Sequence, residues 1–300
     1  MKLELNKIYQ GDALQILKTF PDESIDCVMT SPPYWNLRDY GQKGQLGLEP
    51  TFYAYLKSLL SIFDEAKRVL KPGGTCWVNM GDTYGTSSGA GIRENKQATN
   101  RGTQFNKGWQ EKGKKGVNGM EKSLLQIPSR FAIEMTNRGW TLRNEIIWMK
   151  PNCMPSSATD RFTIDFEKIF FFTKNGKYNF ETQYEKATYT DNRKNKGRIE
   201  YLNRLTKCGV KVSEKRNKRC IWTIAPRPCP DAHFATYPEE LCITPIKAGC
   251  PEGGVVLDPF MGSGTTGLVA MKLNRNYVGI ELNPEYIKIA ERKLSQKNLL

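Results

Sequence analysis

Two short strings at opposite ends of the chain hold the residues whose types and spacing could do chemistry. The first is Thr30-Ser31-Pro32-Pro33-Tyr34-Trp35. It offers a hydroxyl, a carbonyl whose direction two consecutive prolines fix, and a flat aromatic face. These are the parts of a stiff hydrogen-bonding pocket, held in place before any ligand arrives. The second is Asp258-Pro259-Phe260-Met261-Gly262-Ser263-Gly264-Thr265-Thr266, followed by Gly267. Its glycines permit a tight turn and a close approach of ligand to backbone. A helix starting just beyond them would aim free N–H groups and a positive dipole end at an anion.

Each string alone has a plainer reading. Ser-Pro-Pro-Tyr could be a proline-rich surface turn. The glycine string formally matches the dinucleotide fingerprint G-x-G-x-x-G, with Glu281 as the acidic residue about one βαβ unit later. A pyrophosphate sits badly beside the Asp258 carboxylate, whereas a ligand that also carries an ammonium tolerates it. No Gly-Lys-Ser/Thr occurs, so the turn is not a Walker A loop.

The flanking sequence predicts how the strings are held. Ser24–Met29 reads as a buried strand that runs straight into Ser31, and the prolines end its ladder because neither has an N–H to donate. The first string therefore lies at a strand's C-terminal end, the edge where open α/β sheets bind ligands. Leu56, Leu59, Leu60, Phe63, Ala66, Val69 and Leu70 recur at helical spacing, Lys71-Pro72-Gly73-Gly74 stops that helix, and Thr75–Met80 reads as the next strand. Further on come a helix near Ser129–Asn137 and strands near Trp140–Trp148 and Glu167–Phe172. The glycine string falls between a strand at Val255–Leu257 and a helix at Thr266–Leu273. A strand at Tyr277–Glu281 and a helix at Pro284–Leu294, with Pro at its first turn, complete the pattern. The alternation predicts one α/β domain, interrupted at 84–122 by a Gly-, Ser- and Lys-rich insert and at 176–225 by a polar, basic, Tyr-containing unit.

The 300 residues carry a net charge of +14, and that charge is localised. Residues 91–116 hold seven Lys/Arg against two Asp/Glu, and residues 186–219 hold twelve against three. The remainder balances. A neutral body with two strongly basic segments points to a phosphate backbone as partner, where either segment alone would pass for a solvated loop. No apolar run is long enough to span a bilayer, and Met1–Asn6 lacks the core of a secretory leader, which predicts a cytoplasmic protein. The eight cysteines include no Cys-x-x-Cys pair and only one histidine is present, so a Cys/His zinc site is not expected. Scattered thiols fit a reducing compartment.

Taken together, the two strings resemble the catalytic and S-adenosylmethionine (SAM) motifs of the amino-methylating DNA methyltransferases. The catalytic string comes first and the cofactor string last, which is similar to the permuted order of the family's β group. The resemblance extends to Tyr9-Gln10-Gly11-Asp12-Ala13 and to His233–Leu241, with Phe234 where the family usually has Pro. It also takes in Ile147–Asn152, Met154-Pro155-Ser156 and Asp160-Arg161-Phe162. It covers about two thirds of the chain and leaves out the basic segments.

What this resemblance implies is specific. The fold would be the Rossmann-like SAM-methyltransferase fold, α/β with a mostly parallel sheet and two basic insertions. SAM would lie against Gly11, Asp12, His233, Asp258, Phe260, Gly262, Ser263, Gly264, Thr265, Thr266 and Glu281. Asp12 would take the adenine amine, Glu281 the ribose hydroxyls and His233 a place in the cofactor wall. Ser31, Pro32, Pro33 and Tyr34 would be catalytic, with Trp35 adding to the wall. An exocyclic amine is a poor nucleophile because its lone pair is delocalised into the ring. Ser31 Oγ and the Pro32 carbonyl would accept its two N–H groups and draw the lone pair toward the methyl donor, while Tyr34 stacks on a flipped-out base. No metal is required.

Relatives that modify adenine typically carry Asp or Asn before Pro-Pro-Tyr, and cytosine-N4 relatives typically carry Ser, so N4 of cytosine is the expected acceptor. N6 of adenine is the runner-up. RNA, a protein glutamine amide, and a silent DNA-binding module remain alternatives. Cytosine C5 chemistry needs a Cys nucleophile, and Pro228-Cys229 lies beside the cofactor-closing segment without that chemistry's companion motifs. The expected partner is double-stranded DNA, with a cognate restriction endonuclease for the same site and a homodimer as further possibilities. Residues 84–122 would contact DNA and 176–225 would recognise the target.

Overall fold

The computed structural model describes residues 3–37, 41–85, 117, 119–186, 204, 215–226 and 237–295. One eight-stranded sheet dominates it. Its strands are β1 (Lys7–Gln10), β2 (Ile25–Thr30), β3 (Leu70–Met80), β4 (Thr141–Met149), β5 (Phe166–Thr173), β8 (Ile221–Thr223), β9 (Val255–Asp258) and β10 (Asn276–Glu281). They lie in the order β1-β10-β9-β2-β3-β5-β4-β8. The run from β1 to β3 is parallel, β5 is antiparallel to both of its neighbours, and β8 lies parallel to β4. The helices are α1 (Ala13–Leu17), α2 (Phe52–Val69), α3 (Ile127–Asn137), α4 (Glu239–Gly249), α5 (Thr265–Lys272) and α6 (Pro284–Ser295).

Both faces of the sheet are covered, so its central strands read as continuous apolar runs. On β2 alternate side chains go to opposite layers. Val28 joins Leu17, Leu59, Phe63 and Phe131 under α1 to α3. Cys27 and Met29 join Leu241, Ile246, Leu268 and Val269 under α4 and α5. Trp77 on β3 stacks on Phe171 of β5 with ring centroids 3.9 Å apart and planes 2° from parallel.

The topology explains how strings so distant in sequence meet. Strand β9 pairs with β2, Cys27 opposite Val256 and Val28 opposite Leu257. From β9 the chain winds outward through α5 to β10, and from β2 it winds the other way through α2 to β3. The crevice between β2 and β9 is thus a topological switch point, and both strings emerge at its carboxyl edge.

Two local findings differ from the sequence reading. Lys71-Pro72-Gly73-Gly74 ends α2 as expected but does not form a free loop. It belongs to β3, where the pairing jumps from Ile25–Leu70 to Cys27–Thr75 and the irregularity absorbs the extra residues. The bulge is pinned by Asp26, buried in β2, whose carboxylate accepts from Lys71 Nζ at 2.8 Å and from the Val255 amide at 2.9 Å. Second, part of the 176–225 unit belongs to the main sheet. Its β8 extends the sheet edge, and only Tyr184–Lys186 (β6) and Lys215–Asn217 (β7) form a separate two-stranded ribbon. The basic stretches 86–116, 187–203 and 205–214 lie outside the described residues. The first insert closes at its neck, where Tyr84 bridges Leu124 and the Gly85 amide donates to the Ser123 carbonyl at 2.8 Å.

Candidate active site and cofactor cavity

Ser31 follows the last residue of β2, and the loop beyond it is braced from three sides. Trp35 is buried (3% exposed), packs edge-on against Phe52 and donates from Nε1 to the Glu49 carbonyl at 3.1 Å. It therefore anchors the loop and does not form the wall of a base pocket. Tyr55 Oη donates to the Pro33 carbonyl at 2.9 Å. The neighbouring Pro32 carbonyl receives no donor among the described residues. The third brace is Tyr34, whose ring lies so close to Gly81 that a β-carbon there would sit 2.6 Å from it.

Tyr34 is also the hub of a polar chain. Its hydroxyl donates to Glu167 Oε2 at 2.7 Å and lies 3.3 Å from Asn79 Oδ1, while Ser31 Oγ donates to it at 3.4 Å. The other Glu167 oxygen accepts from Lys150 Nζ, which also sits over the Trp148 ring. Burial, and then the nearby Glu167 charge, hold the Tyr34 phenol well above its ordinary pKa, so it remains a neutral hydroxyl.

Across the crevice, Asp258 ends β9 fully buried. Its Oδ1 accepts from Thr30 Oγ1 at 2.6 Å and from the Phe260 amide at 3.0 Å. Its Oδ2 accepts from Thr266 Oγ1 at 2.6 Å and Tyr237 Oη at 3.1 Å. One carboxylate thus ties the end of the catalytic strand to the glycine turn, to α5 and to the segment preceding α4. Burial raises its pKa even against these donors. Gly262 and Gly264 both have positive φ, and a β-carbon on Gly264 would lie 3.0 Å from Ala290 of α6. The Gly262 amide donates to Glu281 Oε2 and the Asn283 amide to Oε1, both at 2.8 Å. Burial raises the Glu281 pKa, and those two amides oppose the shift.

Between these elements lies a cavity of about 590 Å³. Of the residues expected from sequence, Gly11, Asp12, Ser31, Pro33, Phe260, Gly262, Ser263 and Glu281 line it. Pro32, Tyr34, Asp258, Gly264, Thr265 and Thr266 do not; they form the frame around it. His233 lies outside the described residues, as does Cys229. Asp12 caps α1 by accepting from the Gln15 amide at 3.0 Å through one oxygen, which leaves the other available. Gly11 has φ of +149° and donates its amide to the Glu281 carbonyl at 2.9 Å, joining the two ends of the cavity wall.

Sequence reasoning missed several contributors. The far wall includes Gln42, Gln45 and Glu49, and Lys57, Ser58 and Ser61 of α2, polar residues with no motif to mark them. Tyr237 was included only within a segment. Glu167 had one legible signal, a charge at the start of the otherwise apolar run Ile169-Phe170-Phe171-Phe172. Among the described residues no cluster of three or more His, Cys, Asp or Glu could hold a metal ion. Burial pushes the Cys27 thiol up to about 12, so this cysteine within β2 is not poised as a nucleophile.

A strand-end Ser-Pro-Pro-Tyr loop facing a glycine turn across a switch point defines a class of enzyme, and the comparisons agree. A family model described as DNA methylase, covering the N6 and N4 enzymes, matches residues 25–292, and the chain belongs to that family. It is 39% identical over 291 residues to the Type II methyltransferase M.SmaI of Serratia marcescens, covering 97% of this chain and 91% of that protein. It is 41% identical over 294 residues to M.Cfr9I of Citrobacter freundii, covering 97% and 89%. Among solved structures it shares the fold of PvuII DNA methyltransferase (cytosine-N4-specific), with a TM-score of 0.64, 21% identity and 98% and 92% of the two chains covered. TTHA0409 from Thermus thermophilus, solved in complex with S-adenosyl-L-methionine, aligns with a TM-score of 0.59 and 26% identity over 97% and 95%. The chain is a DNA methyltransferase. Among the described residues no helix is long and apolar enough to cross a membrane.

Proposed function

We propose that this enzyme transfers the methyl group of SAM to N4 of a flipped-out cytosine in duplex DNA, as the modification partner of a Type II restriction system. The observation that carries the reading is the position of Ser31. Its hydroxyl is the polar side chain that the catalytic string, together with Pro33, brings to the cavity built by the glycine turn and Glu281. The neutral hydroxyl where adenine-modifying relatives typically carry Asp or Asn supports cytosine. The cavity suits SAM in size and chemistry. Its walls offer carboxylates at Asp12 and Glu281 for an amine and for hydroxyls, and the glycine turn for a carboxylate. Asp258, Gly264, Thr265 and Thr266 act beneath that surface by holding the turn in shape.

SAM supplies an electrophilic methyl group when bound. The protein's part is to make the amine nucleophilic. Ser31 Oγ and the Pro32 carbonyl, which has no donor among the described residues, accept the two amine hydrogens, and the proton that the methylated amine sheds leaves to Ser31 or to water. Tyr55 fixes the next peptide along by donating to the Pro33 carbonyl, and the Pro33 ring stiffens the link between the two, so the Pro32 carbonyl is oriented before the base enters. The sheet edge beside Tyr34 is suited to DNA. Its loop exposes Met154 and Phe162, and next to them Arg161 stacks on Tyr84 with 3.7 Å between its guanidinium carbon and the ring centroid. Exposed apolar side chains flanked by cations are the type that hold a duplex open. The basic segments 91–116 and 186–219 extend the grip on phosphates, and 176–225 supplies target recognition. The enzyme works in the cytoplasm, where its DNA lies, and a cognate endonuclease would cut the same site when unmethylated.

Two measurements test this. Incubation with SAM and unmethylated mixed-sequence DNA, digestion to nucleosides and mass spectrometry should yield N4-methylcytosine. N6-methyladenine instead would overturn the base assignment and keep the cofactor. Glu281→Ala should weaken SAM binding by roughly 10- to 100-fold in calorimetry, the scale of a lost charge-assisted hydrogen-bond pair. Unchanged affinity in a folded variant would remove Glu281 from the ribose.

A further inference from the structure

We infer that Glu167 is a positioning residue for methyl transfer, setting the direction of the hydrogen bonds that leave Ser31 an acceptor toward the cavity. The inference deepens the reading of Ser31 given above and rests on it. A hydroxyl can accept from the substrate amine only when its own proton points elsewhere, and Ser31 alone does not decide where that proton goes. The surrounding groups do.

Lys150 is a donor only and occupies Glu167 Oε1. Glu167 Oε2 therefore stands as the acceptor facing Tyr34, and at 2.7 Å the phenol proton is committed to it. With that proton spent, the phenol oxygen is left to accept. Ser31 Oγ, 3.4 Å away, donates to it. The Ser31 proton thus turns toward Tyr34 and its lone pairs toward the cavity that Ser31 lines. The direction runs Ser31 to Tyr34 to Glu167, with Lys150 closing the far end. Burial and the Glu167 charge keep the phenol protonated, so it retains the proton that it gives to Glu167. Asn79 is a weaker alternative for the phenol proton at 3.3 Å, and its amide nitrogen donates to the Lys168 carbonyl, which fixes its oxygen toward Tyr34. Glu167 and Lys150 are themselves pinned by the β4–β5 ladder, where Trp148 faces Glu167 and the Lys150 amide donates to the Asp165 carbonyl at 2.7 Å. The chain ends on a rigid sheet and not on a loop.

Glu167→Gln tests the direction without changing the shape. Lys150 would hold the amide oxygen, so the NH₂ group would face Tyr34 and donate to the phenol. It would then compete with Ser31 for the phenol oxygen. In tritium-transfer kinetics on unmethylated mixed-sequence DNA, kcat should fall roughly 30-fold or more, part of what one oriented group contributes to a transition state. KM for DNA and the SAM Kd should stay within about twofold, since Glu167 does not line the cavity and its side chain is largely covered. Tyr34→Phe removes the receiving oxygen and should show the same split. The double variant should be no slower than Tyr34→Phe alone, because the two residues act in one chain. A Glu167→Gln enzyme with unaltered kcat, or a double variant slower by the product of the single effects, overturns the inference. Should Glu167→Gln prove too unstable to assay, a Tyr34→Phe enzyme of full turnover overturns it equally. Ser31→Ala run alongside separates the two claims: an active Ser31→Ala enzyme removes the acceptor reading itself, whereas a slow one beside a normal Glu167→Gln removes only the role of Glu167.

Discussion

Ser31→Ala should slow methyl transfer by about 10²- to 10³-fold, the cost of removing one preoriented polar group from a transition state. The SAM Kd should stay within about twofold. The asymmetry follows from where Ser31 sits. Its hydroxyl borders the cavity, but the walls offered to SAM come from other strands: Asp12 after β1, Phe260 to Ser263 after β9, and Glu281 at the end of β10. Losing Oγ removes one of two acceptors for the amine and leaves all of those in place. The loop itself should not collapse, because its braces are Trp35 on Phe52, Tyr55 on the Pro33 carbonyl, and Tyr34 on Glu167. Ser31 contributes to none of them except the long bond to Tyr34. Single-turnover transfer of a tritiated methyl group measures the first quantity and titration calorimetry the second. Equal losses in both would mean that Ser31 supports the cavity and does not act on the base.

The legible part of this site is the part where backbone chemistry dictates residue type. Consecutive prolines just after a six-residue buried strand and glycines at positive φ before a helix leave few alternatives, and β2, β9, α5 and β10 lie within a residue or two of where the pattern puts them. Strand order was not legible. That β9 lies against β2 depends on which apolar faces pair in three dimensions, and only the resemblance of the two strings suggested that they meet. The frame around the cavity was legible in type but not in depth. Asp258, Thr265 and Thr266 read as ligand contacts, because the resemblance sets the glycine string against SAM. The structure buries them, since four donors converge on Asp258 from elements far apart in sequence. Trp35 follows the same logic in reverse. An aromatic beside Pro-Pro-Tyr reads as a pocket wall, whereas the packing of Phe52 draws it into the core. Glu167 and Tyr237 gain their roles only through tertiary contact, which periodicity cannot show.

That convergence makes Asp258→Ala the most damaging single change expected for stability. It strips the acceptor from the Thr30, Thr266 and Tyr237 hydroxyls and from the Phe260 amide at once, in a place water does not reach. Thr266 and Tyr237 keep the hydrogen bond between their hydroxyls, and Thr266 has the Met29 carbonyl at 3.4 Å, but the Phe260 amide is held by the backbone. Leaving several buried donors unpaired should cost about 3 to 5 kcal/mol, a fall in Tm of roughly 10 °C for a domain of this size. SAM affinity should fall with it, because Phe260, Gly262 and Ser263 hang from this anchor. Asp258→Asn separates shape from charge. Its carbonyl keeps two donors, and the hydroxyls facing its NH₂ can rotate to accept, so it should recover more than half of the lost stability. The contrast also has a pH signature. Burial raises the Asp258 pKa, so the folded protein binds this proton more tightly than the unfolded chain does. Stability from that term is present at acid pH and is lost as pH rises through the raised value. Asn cannot lose it, and the deficit of Asp258→Asn relative to the parent should therefore narrow as pH rises from about 4 toward neutrality. Scanning calorimetry of the three proteins across that range measures both effects. An Asp258→Ala protein melting within about 2 °C of the parent would mean that the glycine turn holds its shape without the carboxylate.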